Sequence, residues 1–176
     1  MSLLLSFAPF LVFAVCAHLG LTEIGLWAAA VCSLVLIAKE QLGGRSLKIL
    51  EVGTLILFPG LAVFTTVARF DWTIPLVRLV VDFGLLVIVL VSLAIGRPFT
   101  LQYARETTSP EIWNRPEFMA VNRRITLVWA AAFAVLVLAD AGMAFLPQIP
   151  HGVMILVTVA ALLFAFKYTA QSTKAS

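Results

Sequence analysis

The sequence is poor in charge. Of its 176 residues, 12 are Lys or Arg and 9 are Asp or Glu, which makes 12% charged. A soluble domain carries about twice that share. So few charges cannot cover the surface of a 19.1 kDa water-soluble fold. A soluble enzyme and a disordered chain are therefore excluded. Cysteine is scarce as well. Cys16 and Cys32 are the two present, which excludes a disulfide scaffold. Both fall in apolar runs, where cysteine behaves as a small hydrophobe. On a helical hairpin they would sit at different depths, so no disulfide is expected. There is no zinc-protease HExxH, no glycine-rich phosphate loop, no paired-His haem site and no Ser-His-Asp set. A lipid-modifying enzyme would need a nucleophile converging with a base, and none stands out. No cofactor is expected.

What is present is apolar. Hydrophobic residues make up 62% of the chain, and the mean hydropathy is +1.07. The reading is an all-α, polytopic integral membrane protein with a single transmembrane domain. A helix needs about 20 apolar residues to cross a hydrocarbon core of about 30 Å. Six stretches qualify: residues 3–21, 22–38, 49–68, 75–96, 125–146 and 153–169. The second is short, and a tight turn between Gly20 and Gly25 must join it to the first. No Lys or Arg precedes the first stretch, so it reads as a retained helix rather than a signal peptide. Residues 97–124 form a cytoplasmic, interfacial segment. Within it, Ser109-Pro110-Glu111 reads as a capped helix start. Asn114-Arg115-Pro116-Glu117 reads as another, from which the fifth helix could project into the cytoplasm.

The basic residues set the orientation. Ten lie on one side: Lys39, Arg45, Lys48, Arg97, Arg105, Arg115, Arg123, Arg124, Lys167 and Lys174. Arg69 and Arg78 lie on the other. With six helices both termini share a side, and the bias places them in the cytoplasm. The net charge of +3 thus reflects topology and not nucleic-acid binding. Trp27, Trp72, Trp113 and Trp129 fall near predicted helix ends or in loops, as an aromatic belt would have them.

Ionisable residues inside the membrane are costly and mark where chemistry could lie. Arg78 and Asp82 are four apart on the fourth predicted helix and can pair on one face. Asp82 lies about 10 Å in from the outer surface, and Asp140 on the fifth helix about 9 Å. The three could form an outward-facing polar pocket for an ion, a proton or a lipid headgroup. They could equally be an ion-pair set that fixes helix packing. A metal site from His18, Glu23 and Asp82 matches no ligand template. Glu51 reads as a carboxylate at the positive end of the third helix. Pro59-Gly60 predicts a kink. Alanine and glycine crowd the fifth helix, which should be central to the bundle.

Four segments carry a family resemblance. SFAPFLVF at residues 6–13, GRPFTLQ at 96–102, SPEIW at 109–113 and NRRITLVWAAAF at 122–133 resemble the intracellular septation protein A family of bacterial inner membrane proteins. The likeness runs in order along nearly the whole chain. The chain departs from the pattern at Ser6, where an acidic residue is expected, at Ala132, where a Phe is expected, and at Asp140, where an Asn is expected. An insertion also separates Trp113 from Asn122. The resemblance implies a non-enzymatic role in envelope maintenance and division, exercised through membrane lipids, other inner membrane proteins or a second copy of the chain. It implies no catalytic residues. Pro98, Trp113, Asn122 and Trp129 are the positions expected to contact a partner or lipid on the cytoplasmic side.

Overall fold

A computed structural model describes residues 3–146 and 148–173. Pro147 and Lys174, the latter one of the ten basic residues expected on the cytoplasmic side, lie outside them. The described residues hold helices and no strand. The helices are α1 (Leu3–Ser6), α2 (Ala8–His18), α3 (Thr22–Leu42), α4 (Ile49–Ala68), α5 (Ile74–Ala94), α6 (Phe99–Thr107), α7 (Pro116–Phe145) and α8 (His151–Ser172), with one 3-10 turn at Pro110–Ile112. Five of them, α3, α4, α5, α7 and α8, are long and apolar enough to cross a membrane.

The first predicted span, 3–21, is not one helix. It breaks at Phe7 and ends at His18. Pro9 has no N–H to give to Leu5 and would crowd that carbonyl, so a helix cannot run through it without cost. It sits instead in the first turn of α2, where the N–H is not needed. Gly20 ends α2 with φ +76°. The Leu21 N–H donates to the Cys16 carbonyl at 2.9 Å and closes the turn, the pattern of a glycine-terminated helix. Gly44 closes α3 in the same way, with φ +68° and the Arg45 N–H on the Glu40 carbonyl at 3.0 Å.

Other boundaries also move. The second span is not short: α3 runs on through Lys39 and Glu40 to Leu42. The fifth begins at Pro116 rather than at 125, so α7 has 30 residues. Segment 97–124 holds α6, the 3-10 turn and the start of α7, which begins at the Pro116 start that the sequence offered. Ser109 makes no capping hydrogen bond and precedes only a single 3-10 turn. α4 continues unbroken through Pro59.

α7 is the central element. It packs against α5, α6 and α8. Its alanines and Gly142 let neighbours approach closely, and twelve of its residues are buried. One apolar cluster surrounds Trp129, Phe133 and Leu136 of α7, with Leu85, Val89, Phe99 and Ala165. A second joins α2, α3, α4 and α5 through Phe13, Leu26, Phe58 and Val81. α1 and α2 run alongside α4. Ser6 of α1 donates to Glu51, and Phe10 and Phe13 of α2 pack on Phe58; just past the end of α2, Thr66 donates to Glu23 at the start of α3.

Candidate functional site

Two ionisable clusters lie inside the bundle, one toward each end. The first is the expected trio. Arg78 and Asp82 stand one turn apart on α5, which packs on α7. Arg78 does not pair along its own helix, as the spacing predicted. Its Nε instead reaches across to Asp140 Oδ1 of α7 at 3.6 Å. The Asp82 and Asp140 carboxyl groups are close enough to interact directly. Asp140 is 1% exposed while Arg78 is 32% exposed. Neither Asp140 oxygen has a hydrogen-bond donor. Two carboxyl groups and one guanidinium therefore gather at a helix interface, with the guanidinium paired to Asp140. His18 and Glu23 do not join them as a metal site, since no described group of three or more His, Cys, Asp and Glu is placed to hold a metal ion.

The second cluster was not expected. Lys48, just before α4, is 1% exposed and carries three carboxylates on its ammonium group. Its Nζ lies 2.9 Å from Glu40, 3.4 Å from Glu51 and 2.8 Å from Glu106. Three N–H donors thus meet three acceptors. The ammonium group also sits 5.2 Å from the centre of the Tyr103 ring, within cation–π range. Arg45 adds a second positive charge, 3.5 Å from Glu40. Ser6 donates to Glu51 Oε1 at 3.3 Å, and Glu51 Oε2 is buried without a partner. The cluster ties α1, α3, α4 and α6 together.

Electrostatics follow from this geometry. Burial pulls the Lys48 pKa down, but the hydrogen bonds to Glu106 and Glu40 outweigh it and hold the amine above its ordinary value. Burial pushes Glu106 up, yet Lys48 prevails and leaves it below the usual carboxylate range. Burial, with the neighbouring carboxylates, raises the Tyr103 phenol against a smaller opposing pull from Ser6. A lysine held protonated is no nucleophile. This arrangement braces helices through ion pairs. Glu51 is thus more than a charge at a helix end. A signal for it was present in the Lys48–Glu51 spacing of three and in Glu40 placed eight residues earlier across a Gly-Gly turn.

The four residues expected to meet a partner do not form one exposed surface. Pro98, Asn122 and Trp129 are buried, and Trp113 is half-buried. Trp129 lies in the middle of α7 and not near a helix end. Its ring stacks on Phe7 at 5.3 Å, and its Nε1 donates to Thr169 at 3.0 Å. Thr100 donates to the Asn122 carbonyl at 2.9 Å and lies 2.7 Å from the Thr126 hydroxyl. The Asn122 amide donates back to the Phe118 carbonyl at 2.9 Å. Trp113 donates to the Thr108 carbonyl, with the Arg105 guanidinium 5.5 Å from its ring.

No protein-family model, no curated protein and no solved structure matches the chain. The two charge clusters and the aromatic core around Trp129 are therefore the features from which a function is argued.

Proposed function

We propose that this chain is a multi-pass protein of the bacterial inner membrane with a structural or interaction role in envelope maintenance and division, like the septation protein A family that it resembles. One observation carries the reading. Three of the four segments that bear the resemblance, 6–13, 96–102 and 122–133, lie far apart in sequence yet meet in one place. Phe7 stacks on Trp129 and stands edge-on to Phe99 at 6.5 Å, while Thr100 bonds to α7 at Asn122. A chance likeness of apolar runs would have no reason to converge. In this reading α1 and α2 together make a sixth crossing. Between Glu51 and Thr66 they and the turn into α3 follow about 22 Å of α4. Six crossings and the basic bias then put both termini in the cytoplasm.

With Trp113, Asn122 and Trp129 occupied internally, the surface for a partner is α8. Only Thr158 and Ala165 are buried along it, and Leu156 and Phe164 are 71% and 63% exposed. A photo-crosslinking residue at 156 or 164 in living cells is expected to capture a protein. Recovery of lipid alone from both positions, together with normal cell length in cells lacking the chain, would sink the proposal.

The Asp82–Asp140 pair favours a second reading, a small proton or cation transporter. A carboxylate buried in a membrane without a hydrogen-bond donor is costly, and proton or cation exchange would explain its presence. Proteoliposomes carrying an internal pH dye are expected to leak protons faster than empty ones, with Asp140→Asn abolishing the difference. Equal leak in all three abandons this reading.

A further inference from the structure

A cavity of about 620 Å³ opens at the cytoplasmic end of α7. Its depth relative to the membrane follows from the packing. Just beyond the end of α5, Phe99 N–H donates to Ser92 at 3.2 Å and Thr100 donates to the Asn122 carbonyl. The end of α5 therefore stands level with Asn122. The six residues of α7 before Asn122 project about 9 Å further. That is the headgroup region, outside a hydrocarbon core of about 30 Å.

The lining suits a lipid. Ile112, Phe118 and Val121 make an apolar wall, and Arg115 and Glu117 carry opposite charges. Both charged residues are exposed. Neither forms an ion pair with a described residue. Two residues apart at the start of a helix, they do not face each other. A ligand bearing a negative and a positive group a few ångströms apart can satisfy both. We infer that this cavity binds the headgroup of phosphatidylethanolamine, with its phosphate on Arg115, its ammonium on Glu117 and the start of its acyl chains on the apolar wall.

The chemistry discriminates among phospholipids. The Arg fork matches phosphate oxygens. Glu117 needs an N–H donor, which ethanolamine has and choline lacks. Phosphatidylglycerol can place its phosphate on Arg115 as well, but its neutral glycerol offers Glu117 no cation. The inference requires only that the chain lies in a membrane, and stands whether or not the role in division holds.

The test is native mass spectrometry of the purified full-length protein titrated with phosphatidylethanolamine, phosphatidylcholine or phosphatidylglycerol. Phosphatidylethanolamine is expected to be retained about tenfold more tightly, the size of one charge-assisted hydrogen bond. Glu117→Gln should erase the preference over phosphatidylcholine, and Arg115→Gln should weaken phosphatidylethanolamine about tenfold. Val121→Trp fills the cavity without changing its charge and should also lose the lipid. Soluble phosphoethanolamine should not compete at equal concentration, because it has no chains for the apolar wall. Equal retention of the three lipids, or a preference that survives Glu117→Gln and Val121→Trp, overturns the site. Full competition by soluble phosphoethanolamine overturns the lipid as its occupant.

Discussion

Lys48 holds three carboxylates on one ammonium group, and removing it would take that cation from all three. Lys48→Met keeps the length of the side chain and discards its charge. Glu51, 2% exposed, would be left without a cation, and Glu40, equally buried, with Arg45 alone. Breaking a buried ion pair in this way costs about 3–5 kcal/mol. The variant is expected to unfold at a markedly lower temperature in detergent. Glu51→Gln, which removes one of three negative charges and can still accept from Ser6, should cost much less. A comparable melting loss in the two variants would show that the charge balance is not what holds this corner.

The same residues set a pH dependence. Glu106 has a folded pKa below its unfolded one, so its contribution is present at neutral pH and fades as pH falls through the folded value. Lys48 has a folded pKa above its unfolded one. Its contribution is full below the ordinary lysine range and is lost as pH rises through the raised value. Melting temperature should therefore be flat from mild acid to about pH 10 and decline on either side. In Lys48→Met the alkaline decline should shrink to the part that Tyr103 contributes, whose buried phenol also loses stability as pH rises above its ordinary value. The sequence offers only the spacing of Glu40, Lys48 and Glu51; that Glu106 of α6 joins them was not visible in it.

At the level of elements, the helix contacts depend on glycines that admit a neighbour. A Cβ at Gly25 would lie 2.8 Å from Cys16 Cβ and 3.4 Å from the Phe13 carbonyl oxygen. Neither atom can swing aside, since one is fixed to the backbone and the other belongs to it. Gly25→Ala should force α2 away from α3 and cost about 1–3 kcal/mol, despite its gain in helix propensity. A Cβ at Gly84 would instead meet the tip of Leu57, at 2.5 Å. That side chain can rotate, so Gly84→Ala should be milder. Thermal melting of the two variants separates these outcomes. Most helices were legible because membrane-spanning runs are long and uniformly apolar. Their ends were less so. A charged residue reads as the end of a span, yet α3 carries Lys39 and Glu40 as helix, because Lys48 takes up the Glu40 charge. The break at Phe7 follows from Pro9, which an apolar count passes over.

For the whole molecule, topology is the quantity to measure. In a background with Cys16 and Cys32 replaced by Ala, single cysteines would be placed at Leu21, Ser46 and Gln148. A membrane-impermeant maleimide should label positions 21 and 148 in intact spheroplasts, and position 46 only after lysis. A cysteine at Leu3, the start of α1, should also label only after lysis; its labelling in intact spheroplasts would mean that α1 and α2 do not cross, leaving five spans.

The sequence by itself determined the solvent. Its few charges cannot cover a soluble surface, and its apolar runs have the length that a bilayer demands. It also marked Arg78, Asp82 and Asp140, because a charge inside an apolar run is visible wherever it stands. Only the tertiary structure decided the partners. Arg78 bonds across to Asp140 and not along its own helix, and Lys48 gathers glutamates from three helices. Asn122 and Trp129, expected at a surface, lie inside the protein. Ion pairing and burial depend on which helix faces lie against each other, and a composition shared by every span does not specify those faces.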